Sequence, residues 1–192
     1  NYYSEEIRRI IKNNYGFDKL YAEGLSIKSA LDVDYQLHAL SALRSGIEAY
    51  DRRHGWRGPV LNTKKEKNWQ EKLKERKIDI SLGWVFAKII DVNESEIVFK
   101  TIDKRDTGNI KIVDLKWAIK KTVHNSFKVN DIIFVSSNLK NKWELKQYPK
   151  INGAIIVIDP YNGKVKALVG GFSFEASEFN RATQAKRQPG SA

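Results

Sequence analysis

The stretch GWVFAKIIDVNESEIVFKTI, residues 83–102, decides how the fold is read. In residues 83–92, Val85, Ala87 and Ile89 alternate with Trp84, Phe86 and Lys88, the period of two that marks a half-buried strand. Residues 95–102 (SEIVFKTI) continue as a second strand after a short Asn-Glu turn. Further runs follow at 108–113 (GNIKIV), 131–137 (DIIFVSS) and 142–148 (KWELKQY). Between the third and fourth runs, DLKWAIKK (114–121) reads as a short helix with Asp114 as its N-cap. Five short strands with one helix after the third suit a small closed β-barrel of the OB type.

Upstream of this core the chain reads as mainly helical. In YYSEEIRRIIKNNYGF, Ser4 is the expected cap, Glu5 and Glu6 suit a first turn, and Gly16 ends the helix. Leu25, Ile27 and Ser29 alternate as a short strand. Asp32 then caps a second helix carrying Val33, Leu37, Leu40, Leu43, Ile47 and Tyr50 on one stripe. Gly55 and Pro59 close it, and residues 62–81 form a polar, Lys-rich helical connector.

Downstream lies INGAIIVIDPYNGKVKALVGG, residues 151–171. Residues 155–158 are a near-continuous apolar run, expected to be buried on both faces. DPYNG is a turn with Gly163 at positive φ, and KVKALVGG returns as the second strand of a hairpin. Such a hairpin leaves an unpaired edge, which the strand at 25–29 is expected to cover.

Composition narrows the chemistry. The 192 residues hold 34 Lys+Arg against 23 Asp+Glu, a net charge of +11. The excess is concentrated in residues 61–150, with 20 basic and 12 acidic side chains, a balance of +8. Cys is absent, so no disulfide, thiolate metal site or Cys nucleophile exists. His38, His54 and His124 stand too far apart for a spaced metal-ligand motif, and His38 and His54 read as surface or helix-end residues. No metal and no cofactor is implied. No run is apolar enough to span a bilayer.

The final segment, FNRATQAKRQPGSA (179–192), carries the decisive motif. Together with the GA-apolar-DP-x-x-G hairpin and GGFSF, it resembles the start of the transpeptidase domain of class A penicillin-binding proteins. The resemblance runs end to end. SALD (29–32) stands where many members have TTLD, and the barrel resembles the family's inserted OB domain, with Trp143, Leu145, Gln147 and Pro149 in its W-x-L-x-Q-x-P pattern. It implies an α+β chain with a five-stranded OB-type barrel inserted between a helical linker and the first hairpin of an incomplete transpeptidase domain. The implied divisions are 1–76, 77–149 and 150–192.

By the same resemblance Ser191 is the acyl nucleophile of an S-x-x-K motif, whose lysine falls two residues beyond Ala192. The parent would be a peptidoglycan synthase, a glycosyltransferase joined to a penicillin-sensitive D,D-transpeptidase, anchored in the cytoplasmic membrane with its bulk outside. Its partners would be lipid-linked glycan precursor, stem peptides and β-lactams, with the barrel open to a regulatory protein. This chain alone is expected to be soluble and inactive.

The chemistry of such a serine is general. A hydroxyl is a poor nucleophile until a base takes its proton. A lysine one helical turn on shares its face, and a serine at a helix start offers its own N–H to an oxyanion. Lys186 and Arg187 read as a solvated loop, with contact to an acidic substrate group as the functional alternative. Asn180 and Arg181 are candidate braces of the same loop.

One rival class is an OB-fold nucleic-acid module, in which Trp84, Phe86, Phe99, Trp117, Phe134 and Trp143 stack bases in a basic groove. Alternation sends several of these rings inward, so packing is the preferred reading.

Overall fold

The computed structural model describes residues 1–22, 25–76, 78–138 and 142–186. In chain order the elements are helices α1 (Tyr2–Tyr21) and α2 (Val33–Arg53), strand β1 (Leu61–Asn62) and helix α3 (Trp69–Glu75). Strands β2 (Val85–Val92), β3 (Glu96–Thr101) and β4 (Thr107–Lys111) follow, then helix α4 (Val123–Ser126) and strands β5 (Asp131–Ser137) and β6 (Trp143–Lys146). The hairpin β7 (Ile155–Ile158) and β8 (Val165–Val169) comes last. The chain divides into two compact units, residues 49–150 and residues 1–48 with 151–192.

The first unit, residues 49–150, is an antiparallel sheet in the order β1-β5-β2-β3-β4, with β6 also pairing β5. The five strands read from period-two alternation all form. β2 organises them: Val85–Lys88 pair with β5, and Ala87–Val92 pair with β3. A bulge between Ile89 and Asp91 lets one strand serve both neighbours as the sheet bends. Ala87, Ile89, Ile97, Phe99, Ile133 and Val135 form the centre of the core, roofed by Leu115, Val123 and Phe127. β5 is buried from Asp131 to Val135, as befits a strand with neighbours on both sides.

Four sequence expectations change here. The connector is mostly not helical: α3 has seven residues, and Leu61–Asn62 add a sixth strand at the edge of β5. Residues 49–76 belong to this unit, so it begins upstream of the expected boundary at 77. The segment read as a helix capped by Asp114 is a 3₁₀ helix over Ile112–Ala118 whose N-cap is Lys111; a separate turn, α4, is capped by Thr122. Among the described residues the closed barrel is not completed by hydrogen bonds. Among the described residues β4 and β6 do not pair; they meet where a Cβ on Gly108 would come within 2.7 Å of the Trp143 indole nitrogen.

In the second unit, α1 is capped by Asn1, whose side chain accepts from the Ser4 amide; Ser4 itself is not the cap. Gly16, at φ 86°, breaks the helical backbone as expected, because only glycine reaches that conformation cheaply, but helix resumes beyond it. Asp32 does cap α2, accepting from the amides of Asp34 and Tyr35 at 3.1 and 3.2 Å. Of the expected stripe, Leu43 and Ile47 are buried together with Ala39, whereas Val33, Leu37 and Tyr50 are exposed.

The hairpin forms with Gly163 at φ 68°. Among the described residues it pairs β7 with β8 only, and no strand forms at 25–29. The edge of β8 is covered differently. The Asp32 amide donates to the Lys166 carbonyl at 2.9 Å, and the Tyr3 hydroxyl donates to the Val165 carbonyl at 2.8 Å. The Gln36 carboxamide imitates a strand, donating to the Leu168 carbonyl at 3.1 Å and accepting from its amide at 2.9 Å. Because the sheet has two strands, β7 alternates between half-buried and exposed and is not buried on both faces.

Candidate functional site

The candidate nucleophile Ser191 and its neighbour Arg187 lie outside the described residues. What is described is the segment 172–186 that leads towards them, and how it is held.

The strand β8 ends in Gly170–Gly171, and both glycines are required by close approach. A Cβ on Gly170 would sit 2.2 Å from Asn180 Oδ1 and 2.9 Å from the Asn180 Cα. A Cβ on Gly171 would sit 2.4 Å from the Tyr2 hydroxyl. The Gly-Gly pair and the Asn-Arg pair, ten residues apart, are thus two halves of one packing arrangement. The Arg181 amide donates to the Gly170 carbonyl at 3.1 Å and completes it.

Asn180 is buried and satisfied throughout. Its Oδ1 accepts from the Ala182 amide at 3.1 Å, and its carbonyl accepts from the Gln184 amide at 2.8 Å. Its own amide donates to Gln184 Oε1 at 2.7 Å, so Asn180 and Gln184 close a reciprocal turn. Its Nδ2 donates to Glu6 Oε2 at 3.3 Å. Glu6 Oε2 also accepts from the Thr183 hydroxyl at 2.8 Å, while Glu6 Oε1 pairs with Arg9 at 2.7 Å. The Tyr2 hydroxyl lies 2.7 and 3.0 Å from the carbonyls of Ser177 and Ser173, and its ring packs edge-on against Phe174. Beside these contacts a cleft of about 330 Å³ opens between α1 and the segment.

The expected brace role of Asn180 therefore has defined partners. Arg181 spans the Phe179 carbonyl at 3.1 Å and the face of the Phe179 ring. Lys186 is exposed, in keeping with a solvated loop. Tyr2, Glu6 and Thr183 were not singled out by sequence reasoning. Glu6 reads there as an ordinary first-turn acid, and nothing local announces a partner 177 positions away. Glu5, its neighbour, is held below the usual carboxylate range by its hydrogen bond from Arg8.

In the unit of residues 49–150 the aromatic side chains pack against one another. Trp84, Phe86 and Phe134 are buried, with Phe86 and Phe134 stacked at 5.0 Å and Tyr148 5.4 Å from Trp84. Phe99 is fully buried against Trp143. Trp117 is half-buried beside Trp56. Four of the six rings named for base stacking, Trp84, Phe86, Phe99 and Phe134, are thus buried, which favours packing over a base-stacking platform. Among the described residues no group of three or more His, Asp or Glu is placed to hold a metal ion, and no helix is long and apolar enough to cross a membrane.

A family model described as the penicillin-binding protein OB-like domain matches residues 56–151. The chain is 39% identical over 195 residues to penicillin-binding protein 1A of Rickettsia typhi, covering 100% of this chain and 24% of that protein. It is 33% identical over 205 residues to penicillin-binding protein 1A of Pseudomonas aeruginosa, with the same coverages. The crystal structure of penicillin-binding protein 1A from Haemophilus influenzae superposes with a TM-score of 0.76 at 27% identity, covering 95% of this chain and 27% of that one. The chain thus spans about a quarter of the length of the curated relatives it matches.

Proposed function

This chain belongs to the penicillin-binding proteins through its OB-like domain, and on that premise we propose that it is part of a 1A-type bifunctional peptidoglycan synthase. In this reading residues 151–192 open the D,D-transpeptidase domain and the OB-like domain is inserted ahead of it. The parent is anchored in the cytoplasmic membrane with its bulk outside, and polymerises lipid-linked glycan precursor in a separate domain. The barrel serves as a structural spacer or docking place for a regulatory protein.

Ser191 is the nucleophile. Its Oγ attacks the carbonyl of the penultimate residue of a stem peptide, a base takes its proton, and the terminal residue leaves as an amine. The resulting ester is then attacked by the amino group of a neighbouring stem. A β-lactam enters the same step and stays as the ester.

The observation that carries the reading is the lock between Gly170 and Asn180. It supports a segment 172–186 whose role is to deliver the following residues to a fixed place, as a nucleophile demands. The test is acylation of the full-length gene product by labelled penicillin, beside a Ser191→Ala variant. Labelling that depends on Ser191 is the expected result. A folded full-length protein that takes no label, or takes it equally in the variant, would overturn the assignment.

A further inference from the structure

We propose that the OB-like unit carries a binding site for a phosphate-bearing anion, walled by Trp56 and ringed by Lys65, Lys120 and Lys128. The site is a pocket of about 390 Å³. It lies wholly within the unit of residues 49–150 and does not depend on the transpeptidase reading.

Two independent observations meet there. The first is charge without partners. Lys65, Lys120 and Lys128 all line the pocket, all are exposed, and none forms an ion pair among the described residues. Some lysines elsewhere in the unit do have carboxylate partners: Lys142 pairs with Asp114 and Lys72 with Glu66. Three ammonium groups lining one concavity raise the positive potential there and favour an anion.

The second observation is an orphaned donor. Trp56 is 5% exposed, and its indole Nε1 is the one buried side-chain nitrogen or oxygen without a hydrogen-bond partner among the described residues. Buried indole N–H groups usually have a partner, and an exception calls for a missing water or ion. Trp56 forms part of the wall of this same pocket, so an anion bound there would lie against its side chain.

The acidic group in the wall does not oppose an anion strongly. Asp131 is buried, and its oxygens already accept from Asn62 Nδ2 at 2.7 Å and the Lys128 amide at 2.9 Å. Arg57 also lines the pocket, but its guanidinium is committed to Asp51. The binding charge therefore comes from the three lysines, with the Asn125 amide at the rim as a neutral donor. Three point charges and several N–H donors suit the multiple oxygens of a phosphate better than a single carboxylate. That chemistry could be presented by a soluble phosphorylated molecule or by an anionic lipid headgroup.

The test uses the whole chain, labelled with ¹⁵N, and inorganic pyrophosphate as the probe at low ionic strength. The Trp56 indole N–H signal, identified by its loss in W56F, is expected to shift saturably. Added salt should weaken the binding. The variant K65A/K120A/K128A should bind about tenfold more weakly or worse, while K100A/K116A/K164A, equal in charge change but outside the pocket, should bind as the parent does. Since all six lysines are exposed, both variants should keep the dispersed spectrum of the folded chain, and K120E offers a single-site check. Absence of a saturable shift overturns the proposal, as does equal weakening in both triple variants. Sedimentation with phosphatidylglycerol but not phosphatidylcholine vesicles, lost in the pocket variant, would identify a headgroup as the source. Pyrophosphate binding without vesicle binding would identify a soluble ligand.

Discussion

Replacing Asp51 tests the packing of the OB-like unit most directly. Asp51 is 3% exposed, and its carboxylate accepts four hydrogen bonds. Two come from the Arg57 guanidinium at 2.9 and 2.8 Å, one from Gln147 Nε2 at 2.8 Å and one from the Lys150 amide at 3.1 Å. These bonds clasp the segment by which the chain comes into the unit, residues 51–57, to the segment by which it leaves, residues 147–150. Removing one partner of a fully buried pair costs about 3–5 kcal/mol. The Arg57 side chain keeps 26% exposure, so water takes over part of its charge and the expected cost of Asp51→Ala is nearer ~2–3 kcal/mol. At roughly 2–4 °C per kcal/mol for a chain of this size, the melting temperature should fall by about 5–10 °C.

Asp51→Asn isolates the charge and fixes the sign with pH. Burial pushes the Asp51 pKa up, but the hydrogen bonds from Arg57, the Lys150 amide and Gln147 outweigh it, and the folded value lies below the ordinary 3.8. A depressed folded value means that the stabilisation is fully present above the unfolded pKa and is lost as pH falls through the folded one. The gap in urea midpoint between the parent chain and Asp51→Asn should therefore hold steady from about pH 7 to about pH 5 and shrink below about pH 4. A melting temperature for Asp51→Ala within about 2 °C of the parent, or a gap that persists unchanged into acid, would refute the clasp.

Three further outcomes follow from the other unit. Gly170→Ala should cost about 1–3 kcal/mol, because moving the Asn180 side chain still leaves the Asn180 Cα 2.9 Å from the new Cβ; thermal melting and proteolysis within 172–186 read this out. Gln36→Ala should destabilise by about 1–3 kcal/mol by stripping both backbone groups of Leu168 of their partners. The Leu168 amide should then exchange with solvent faster, and an unchanged rate would contradict the edge-cover role. Glu6→Ala should speed amide exchange at Ala182 and Gln184 while leaving the amides of β2 and β5 as they were; a uniform change across the chain would show that Glu6 acts on global stability alone.

Much of the fold is legible without coordinates. The strands over 83–148 were found because alternation and turn chemistry are local signals, and β2 to β6 fall where the pattern puts them. The misses are just as regular. Val33 and Leu37 fit the helical stripe of α2 yet are exposed, since period shows which residues share a face and not whether anything covers it. Leu25 and Ile27 alternate like a strand, but Gln36 and Asp32 take the edge of β8 instead.

The sequence by itself determined strands β2 to β6 and the β7–β8 hairpin, the turns at Asn93–Glu94 and Gly163, the Asp32 cap and the family motifs that lead to Ser191. Each is set within a few residues by backbone preference or by a contiguous pattern. Only the tertiary structure decided that Glu6 holds Thr183, that Gly170 makes room for Asn180, that Asp51 clasps Gln147, and that Lys65, Lys120 and Lys128 surround one pocket beside Trp56. Apart from the Gly170–Asn180 approach, these pairings join positions far apart along the chain, and even that one depends on how a turn folds back on its strand. They depend on how the elements pack, which neither periodicity nor local propensity contains.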